Sequence, residues 1–151
     1  MKHLIIIYHS QGDKTATMAK AVSTGIHCEP EIEARVKMAF DADLEDLLWA
    51  DGLIFGTPEN FGYMSGALKD FFDRTFYLAE PYHLNLPYAL FVSAGNDGSG
   101  AVREVDRIAL GYPLRKIAEP VVAVGEPGDK DLQACHDLGH SFATGLTMGI
   151  F

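Results

Sequence analysis

The sequence has few basic residues, and this scarcity limits the partners that the protein can bind. Lysine and arginine together number 12, against 21 aspartate and glutamate residues, which gives a formal net charge of −9. A protein that binds nucleic acid needs a basic surface to meet the phosphates, so we exclude nucleic acid as the partner. The acidic balance instead suits a protein that meets small molecules or basic protein surfaces.

Cysteines and long apolar runs are also scarce. The 2 cysteines, Cys28 and Cys135, are far apart and form no Cys-x-x-Cys motif, so we expect free thiols in a reducing cytosol. The apolar run from Leu4 to Tyr8 is too short for a membrane span or for the core of a signal peptide. The sequence therefore predicts a cytoplasmic protein without a membrane span.

Two common nucleotide-binding motifs are missing from the loop that follows this apolar run. The segment Ser10-Gln11-Gly12-Asp13-Lys14-Thr15 matches neither the Gly-x-x-x-x-Gly-Lys-Ser/Thr pattern nor the Gly-x-Gly-x-x-Gly pattern. The segment nevertheless joins a predicted strand to a predicted helix and carries glycine and hydroxyl groups. Backbone N–H groups and the positive end of the helix dipole would meet there, which suits a phosphate group.

What the sequence does contain is a regular alternation of strands and helices. Its 151 residues are 48% hydrophobic and 22% charged, which predicts one globular domain over residues 1–151. Most predicted strands are continuous apolar runs, but the second alternates polar and apolar residues and is predicted at a sheet edge. The predicted strands are Leu4–Tyr8, Glu31–Met38, Gly52–Gly56, Tyr88–Ser93 and Val121–Val124. The predicted helices are Thr15–Thr24, with Gly25 as its stop signal, Leu44–Ala50, Ser65–Tyr77, Ala101–Leu110 and Asp129–Leu146.

This alternation predicts a three-layer α/β sandwich with a five-stranded parallel sheet of order 2-1-3-4-5 and helices on both faces. In that order the first and third strands are neighbours, and ligands bind in the crevice between their carboxyl ends. We expect the loops Ser10–Thr15 and Thr57–Met64 to open there, with the loop Ser93–Gly100 beside them. A ligand with a phosphate and a flat ring would contact all three loops.

The three loops resemble those of the flavodoxin-like FMN proteins. The first loop is similar to the family pattern Ser/Thr-x-Thr-Gly-x-Thr, and the segment Ser93–Ala101 is similar to the third loop. The most specific match is the segment Leu53–Gly66, which contains the second loop, Thr57–Met64. Its form is typical of NAD(P)H-dependent FMN reductases and of quinone oxidoreductases of the tryptophan-repressor-binding-protein type. The resemblance covers essentially the whole chain.

The resemblance implies a flavodoxin-like fold with FMN as the cofactor. The phosphate would bind to the first loop, and the isoalloxazine ring would lie between the second and third loops. Neither a catalytic side chain nor a metal site is implied, because the flavin carries the chemistry. The implied cofactor-binding residues are Ser10, Gln11, Gly12, Asp13, Lys14, Thr15, Pro58, Glu59, Asn60, Phe61, Gly62, Tyr63, Ser93, Gly95, Asn96, Asp97 and Gly98.

The sequence departs from the family pattern in two loops. Gly12-Asp13 stands where the family has Thr-Gly, so Asp13 brings a negative charge near the phosphate unless it serves as a helix N-cap. The third loop lacks the aromatic residue that many flavodoxins place against the ring. This absence favours a reductase, in which one face of the ring stays open to a second substrate.

Three functions remain open on the sequence alone. The leading hypothesis is an FMN-dependent oxidoreductase that takes electrons from NAD(P)H and reduces a quinone or another small acceptor. The second is a flavodoxin-type electron carrier, whose net charge of −9 would steer basic redox proteins towards it. The third is an FMN-free binding module of the same fold, which only Asp13 supports. The oligomeric state is open as well, and a homo-oligomer is one of the options.

Overall fold

A sheet of six parallel strands forms the centre of the computed structural model, which describes residues 1–151. The strands are β1 (Lys2–Tyr8), β2 (Ile32–Met38), β3 (Gly52–Pro58), β4 (Leu86–Ala94), β5 (Leu114–Lys116) and β6 (Val121–Val124). The helices are α1 (Lys14–Ile26), α2 (Leu44–Trp49), α3 (Gly66–Ala79), α4 (Ser99–Gly111) and α5 (Asp129–Thr147). None of these helices combines the length and the apolar character that crossing a membrane requires.

The predicted order of the sheet is confirmed. The strands follow the order β2-β1-β3-β4, and the last position is shared by β5 and β6, which both pair with β4. The structure thus adds a sixth strand, Leu114–Lys116, to the five that the sequence predicts. This strand has only three residues, two of which are exposed, so it has no readable hydrophobic period.

Alternate residues of each strand supply the two cores. In β1, Ile5 and Ile7 face a core that α2, α3 and α4 cover, whereas Leu4 and Ile6 face a core that α1 and α5 cover. All four of these side chains are completely buried. Because both faces of β1 are covered, its apolar run is continuous rather than alternating.

The strand β2 lies at the predicted edge, where a buried carboxylate stabilises it. Asp46 of α2 is only 1% exposed, and its carboxylate accepts hydrogen bonds from Arg35 Nη1 at 3.2 Å and Lys37 Nζ at 3.0 Å. It also accepts the backbone N–H of Asp43 at 3.0 Å, as part of a capping box. The alternating charges of β2 therefore do more than solvate an edge, because they also neutralise a buried acid.

The predicted end of the first helix was wrong. Helix α1 continues past Gly25 to Ile26, and Gly25 is buried against α5. A Cβ at Gly25 would overlap the backbone oxygen of His136, and a Cβ at Gly139 would overlap that of Val22. Both glycines therefore allow the backbones of α1 and α5 to approach closely. The rule that glycine marks the end of a helix considers only neighbouring residues, so it does not detect this packing role.

Candidate functional site

A cleft of about 440 Å³ opens where β1, β3 and β4 end, at the predicted switch point of the sheet. The register pairs Tyr8 with Gly56 and Pro58 with Ser93, so the three following loops leave the sheet side by side. The volume is within the range that small-molecule sites occupy. Its lining residues are Ser10, Gln11, Gly12, Asp13, Lys14, Thr15, Pro58, Glu59, Asn60, Ser93, Ala94, Gly95 and Glu126.

The first loop, Ser10–Thr15, has the form of an anion cradle. The Ser10 hydroxyl donates to the backbone oxygen of Gly12 at 2.7 Å and accepts the backbone N–H of Ala16 at 3.0 Å. Ser10 therefore holds the loop in shape, and its hydroxyl is already engaged. The backbone N–H groups of residues 11–15 donate no hydrogen bond within the protein. Such unpaired donors at a helix N-terminus are suited to an anion.

A buried hydrogen bond joins the first loop to the third. Thr15 and Ser93 are 2% and 5% exposed, and their hydroxyl oxygens lie 2.7 Å apart. Two buried hydroxyl groups need each other as partners, since an unpaired one would cost free energy. This contact fixes the floor of the cleft.

The charge around the cleft is mostly negative. Lys14 is the only basic residue of the lining, and its Nζ lies 4.0 Å from Glu126 Oε1. Both side chains are well exposed, so this ion pair is weak. Asp13 and Glu59 are the other acidic residues of the lining. Sequence reasoning missed Glu126, although it follows β6 and so stands at the same edge of the sheet as the three predicted loops.

The Asp13 side chain does not cap α1. Asp13 occupies the N-cap position, but its side chain accepts no hydrogen bond from the helix. Its backbone oxygen accepts from the N–H of Thr17 at 2.8 Å and from the Thr17 hydroxyl at 2.7 Å. The carboxylate is exposed at the mouth of the cleft, where it contributes charge and no capping bond.

The second loop forms a tight hairpin turn. Asn60 and Tyr63 exchange backbone hydrogen bonds of 2.8 and 3.0 Å, and the two residues between them, Phe61 and Gly62, have φ angles of 53° and 71°. Positive φ is strained for a phenylalanine, and such strain is most often found at functional sites. The Phe61 side chain is fully exposed, at 108%.

Several of the predicted site residues do not line the cleft. Tyr63 instead lines a second cavity, of about 500 Å³, between α3 and α4. The Asp97 carboxylate accepts the N–H of Ser99 at 3.0 Å and its hydroxyl at 2.8 Å, and these hydrogen bonds lower the pKa of Asp97. The predicted residues outside the lining are Phe61, Gly62, Tyr63, Asn96, Asp97 and Gly98.

No group of three or more histidine, cysteine or acidic side chains is arranged to hold a metal ion. Cys135 is buried, and burial raises its pKa to about 12. Cys28 is exposed, and both thiols are free.

The parallel sheet, its order and the position of the cleft at the switch point define a flavodoxin-like protein, and the unpaired N–H groups of its first loop are suited to an anion. Comparison with known families agrees, since residues 14–127 match the family described as NADPH-dependent FMN reductase. The chain belongs to this family, and FMN is the cofactor that the membership assigns.

Similar proteins include flavodoxins and an NAD(P)H dehydrogenase (quinone). The chain is 40% identical over 73 residues to a flavodoxin of Aquifex aeolicus, a match that covers 48% of this chain and 40% of that protein. It is 30% identical over 95 residues to an NAD(P)H dehydrogenase (quinone) of Acidithiobacillus ferrooxidans, covering 50% and 48%. The chain thus spans about half the length of these relatives or less. A solved flavodoxin from the domain Archaea is 25% identical, with a TM-score of 0.84 over 96% of this chain and 99% of that one.

Proposed function

We propose that the protein is an FMN-dependent oxidoreductase that moves electrons from NAD(P)H to a quinone or another small acceptor. The observation that carries this proposal is the form of the cleft, which has unpaired N–H donors at one end and no aromatic cover from the third loop. Membership of the reductase family supports it, and so does the similarity to an NAD(P)H dehydrogenase (quinone).

The FMN phosphate fits the first loop. The unpaired N–H groups of residues 11–15 would hold it, and Lys14 would add one positive charge. Gly12 has no atom within 4 Å of where a Cβ would stand, so the phosphate can approach its backbone freely. The Ser10 hydroxyl supports the loop in this arrangement and leaves the direct contacts to the backbone.

The isoalloxazine ring would lie between Pro58–Tyr63 and Gly95–Gly98. When bound, FMN supplies the redox chemistry, and the residues of the chain supply binding and orientation. Backbone groups of the two loops can meet the polar edge of the ring, while Phe61, on its strained turn, is the aromatic residue free to contact the ring or its partner. With no aromatic in Gly95–Gly100, one ring face stays open to nicotinamide.

A flavodoxin-type carrier is the second candidate. The 40% identity to the Aquifex flavodoxin favours it, and so does the match to the archaeal flavodoxin over nearly the whole of both chains. The net charge of −9 would also guide basic redox partners. The two candidates differ in one respect that is easily measured, since only the oxidoreductase reacts directly with a reduced nicotinamide.

We expect the FMN-loaded protein to oxidise NADH or NADPH steadily when a quinone is present. A reduced nicotinamide would have to stack on the bound ring, and the third loop, with no aromatic residue in Gly95–Gly100, would leave room for it. When quinone is left out, stopped-flow absorbance should show nicotinamide oxidation and loss of flavin absorbance at the same rate, and adding quinone should restore the flavin absorbance. Protein without FMN is the control and should show neither change. Tight binding of FMN without oxidation of either NADH or NADPH would support the electron carrier instead.

We expect the Asp13→Asn variant to bind FMN more tightly than the wild type. The exposed carboxylate stands beside the proposed phosphate site and makes no capping bond, so its removal relieves repulsion without loosening the loop. The gain should be about 0.5–1 kcal/mol, which is the scale of an exposed charge contact. Fluorescence titration measures it, and riboflavin binding, which has no phosphate to repel, should not change. A clear loss of FMN affinity would show that Asp13 supports the loop in some other way.

A further inference from the structure

Glu59 occupies an unexpected position in the second loop. Its Oε2 accepts the backbone N–H of Gly100 at 2.9 Å and that of Ala101 at 3.2 Å. These two N–H groups belong to the first turn of α4, where no partner exists within the helix. A side chain that precedes the hairpin turn therefore caps a helix 41 residues further along the chain.

Two other contacts join the same segments. The backbone N–H of Glu59 donates to Ser93 O at 2.8 Å, which ties the start of the second loop to the start of the third. Gly100 lies so close to Gly62 that a Cβ at position 100 would overlap the Gly62 backbone oxygen. The turn with Phe61 and Gly62 is thus held directly against the N-terminus of α4.

We propose that Glu59 is a positioning residue that locks the second loop onto α4 and so sets the gap in which the flavin ring lies. The charge-assisted hydrogen bonds that the Glu59 carboxylate accepts from Gly100 and Ala101 hold the second loop against α4. They thereby maintain the close approach of Gly62 to Gly100. This inference rests on the proposed placement of the ring between the second and third loops.

The proposal can be distinguished from a purely electrostatic effect of Glu59, because the two predict opposite changes in FMN affinity when Glu59 is replaced. If Glu59 were only a negative charge near an anionic cofactor, its removal would tighten FMN binding. If Glu59 holds the loop, its removal weakens binding even though a repelling charge is lost. Glu126 provides the matched control, since it lines the same cleft, forms only a weak ion pair with Lys14 of the first loop, and bonds to neither the second loop nor α4.

The first measurement uses the flavin-free protein and does not depend on its function. In Glu59→Ala, amide hydrogen exchange at Gly100 and Ala101 should accelerate roughly tenfold to a hundredfold, the factor expected on losing a hydrogen bond to a charged group. In Glu126→Gln the exchange rates of these two amides should not change. Unchanged exchange rates at Gly100 and Ala101 in Glu59→Ala would overturn the proposal that Glu59 holds the second loop against α4, whatever ligand the protein binds.

The second measurement compares flavin affinities by fluorescence titration. Glu59→Ala should weaken riboflavin about tenfold and FMN by that factor or somewhat less, because both carry the ring and only FMN gains from the loss of the charge. Glu59→Gln keeps one acceptor oxygen of the right length and should recover most of that loss, whereas a merely destabilised protein would show no such recovery. Glu126→Gln should bind FMN as well as the wild type or better. Tighter FMN binding in Glu59→Ala would overturn the proposal, and failure of the wild type to bind either flavin would overturn the ring placement on which it rests.

Discussion

FMN should bind at least roughly a hundredfold more tightly than riboflavin, because the first loop offers unpaired backbone donors to the phosphate. Each hydrogen bond to a charged group contributes about 1.5–3 kcal/mol, so two good bonds already give this ratio. The N–H groups of residues 11–15 are all without a partner within the protein. The acidic residues of the lining reduce the preference, but exposed carboxylates such as Glu126 contribute at most about 1 kcal/mol each.

The ratio of the two affinities, measured by quenching of flavin fluorescence, tests the site without reference to catalysis. Lys14→Ala should lower FMN affinity severalfold and leave riboflavin affinity unchanged, since Lys14 belongs to the first loop, at the proposed phosphate position and away from the proposed ring site. Glu59→Ala should lower both affinities. Equal affinities of the wild type for FMN and riboflavin would show that the first loop does not bind the phosphate.

Gly100→Ala should destabilise the protein by about 2–3 kcal/mol and lower its FMN affinity at least tenfold. The new Cβ would overlap backbone atoms of Gly62, and no rotation of a side chain can relieve a clash with backbone. Overpacking of this kind costs about 1–3 kcal/mol, and occasionally more, because the backbone must shift. The shift would separate the second loop from α4 and widen the proposed ring site.

Urea unfolding and flavin titration would measure both effects. Gly66→Ala is the matched control, because Gly66 is also the start of a helix but has nothing within 4 Å of the position of its Cβ. That variant should keep its FMN affinity and gain a few tenths of a kcal/mol from higher helix propensity. A Gly100→Ala protein with unchanged stability would mean that the two loops are not in close contact in solution.

The contacts of Glu59 and Glu126 could not be predicted from the sequence, because they join distant segments of the chain. In the sequence Glu59 is only one polar residue of the second loop, close to the proposed flavin site. Its capping of α4 joins residues 59 and 100, and no local pattern encodes a bond between positions so far apart. The same limit explains why Glu126 was missed, since its nearness to Lys14 depends on where β6 pairs with β4.

The sequence by itself determined the order of the sheet, the edge position of β2 and the loops that meet at the switch point. These features follow from local causes, because a strand buried on both faces, such as Leu4–Tyr8, must be continuously apolar and an edge strand need not be. Crossover handedness then leaves few ways to arrange parallel strands. The second loop was recognisable because its residues are contiguous.

Only the tertiary structure decided which atoms of those loops are free and which are already engaged. The Ser10 hydroxyl supports its own loop, Thr15 and Ser93 satisfy each other, and Asp13 caps nothing. Tertiary contacts also determine the close approach of α1 to α5 at Gly25 and the pairing of the strand Leu114–Lys116 with β4. A hydrogen bond or a close backbone contact depends on where two distant segments meet, and that position is set by packing of the whole chain rather than by any local sequence pattern.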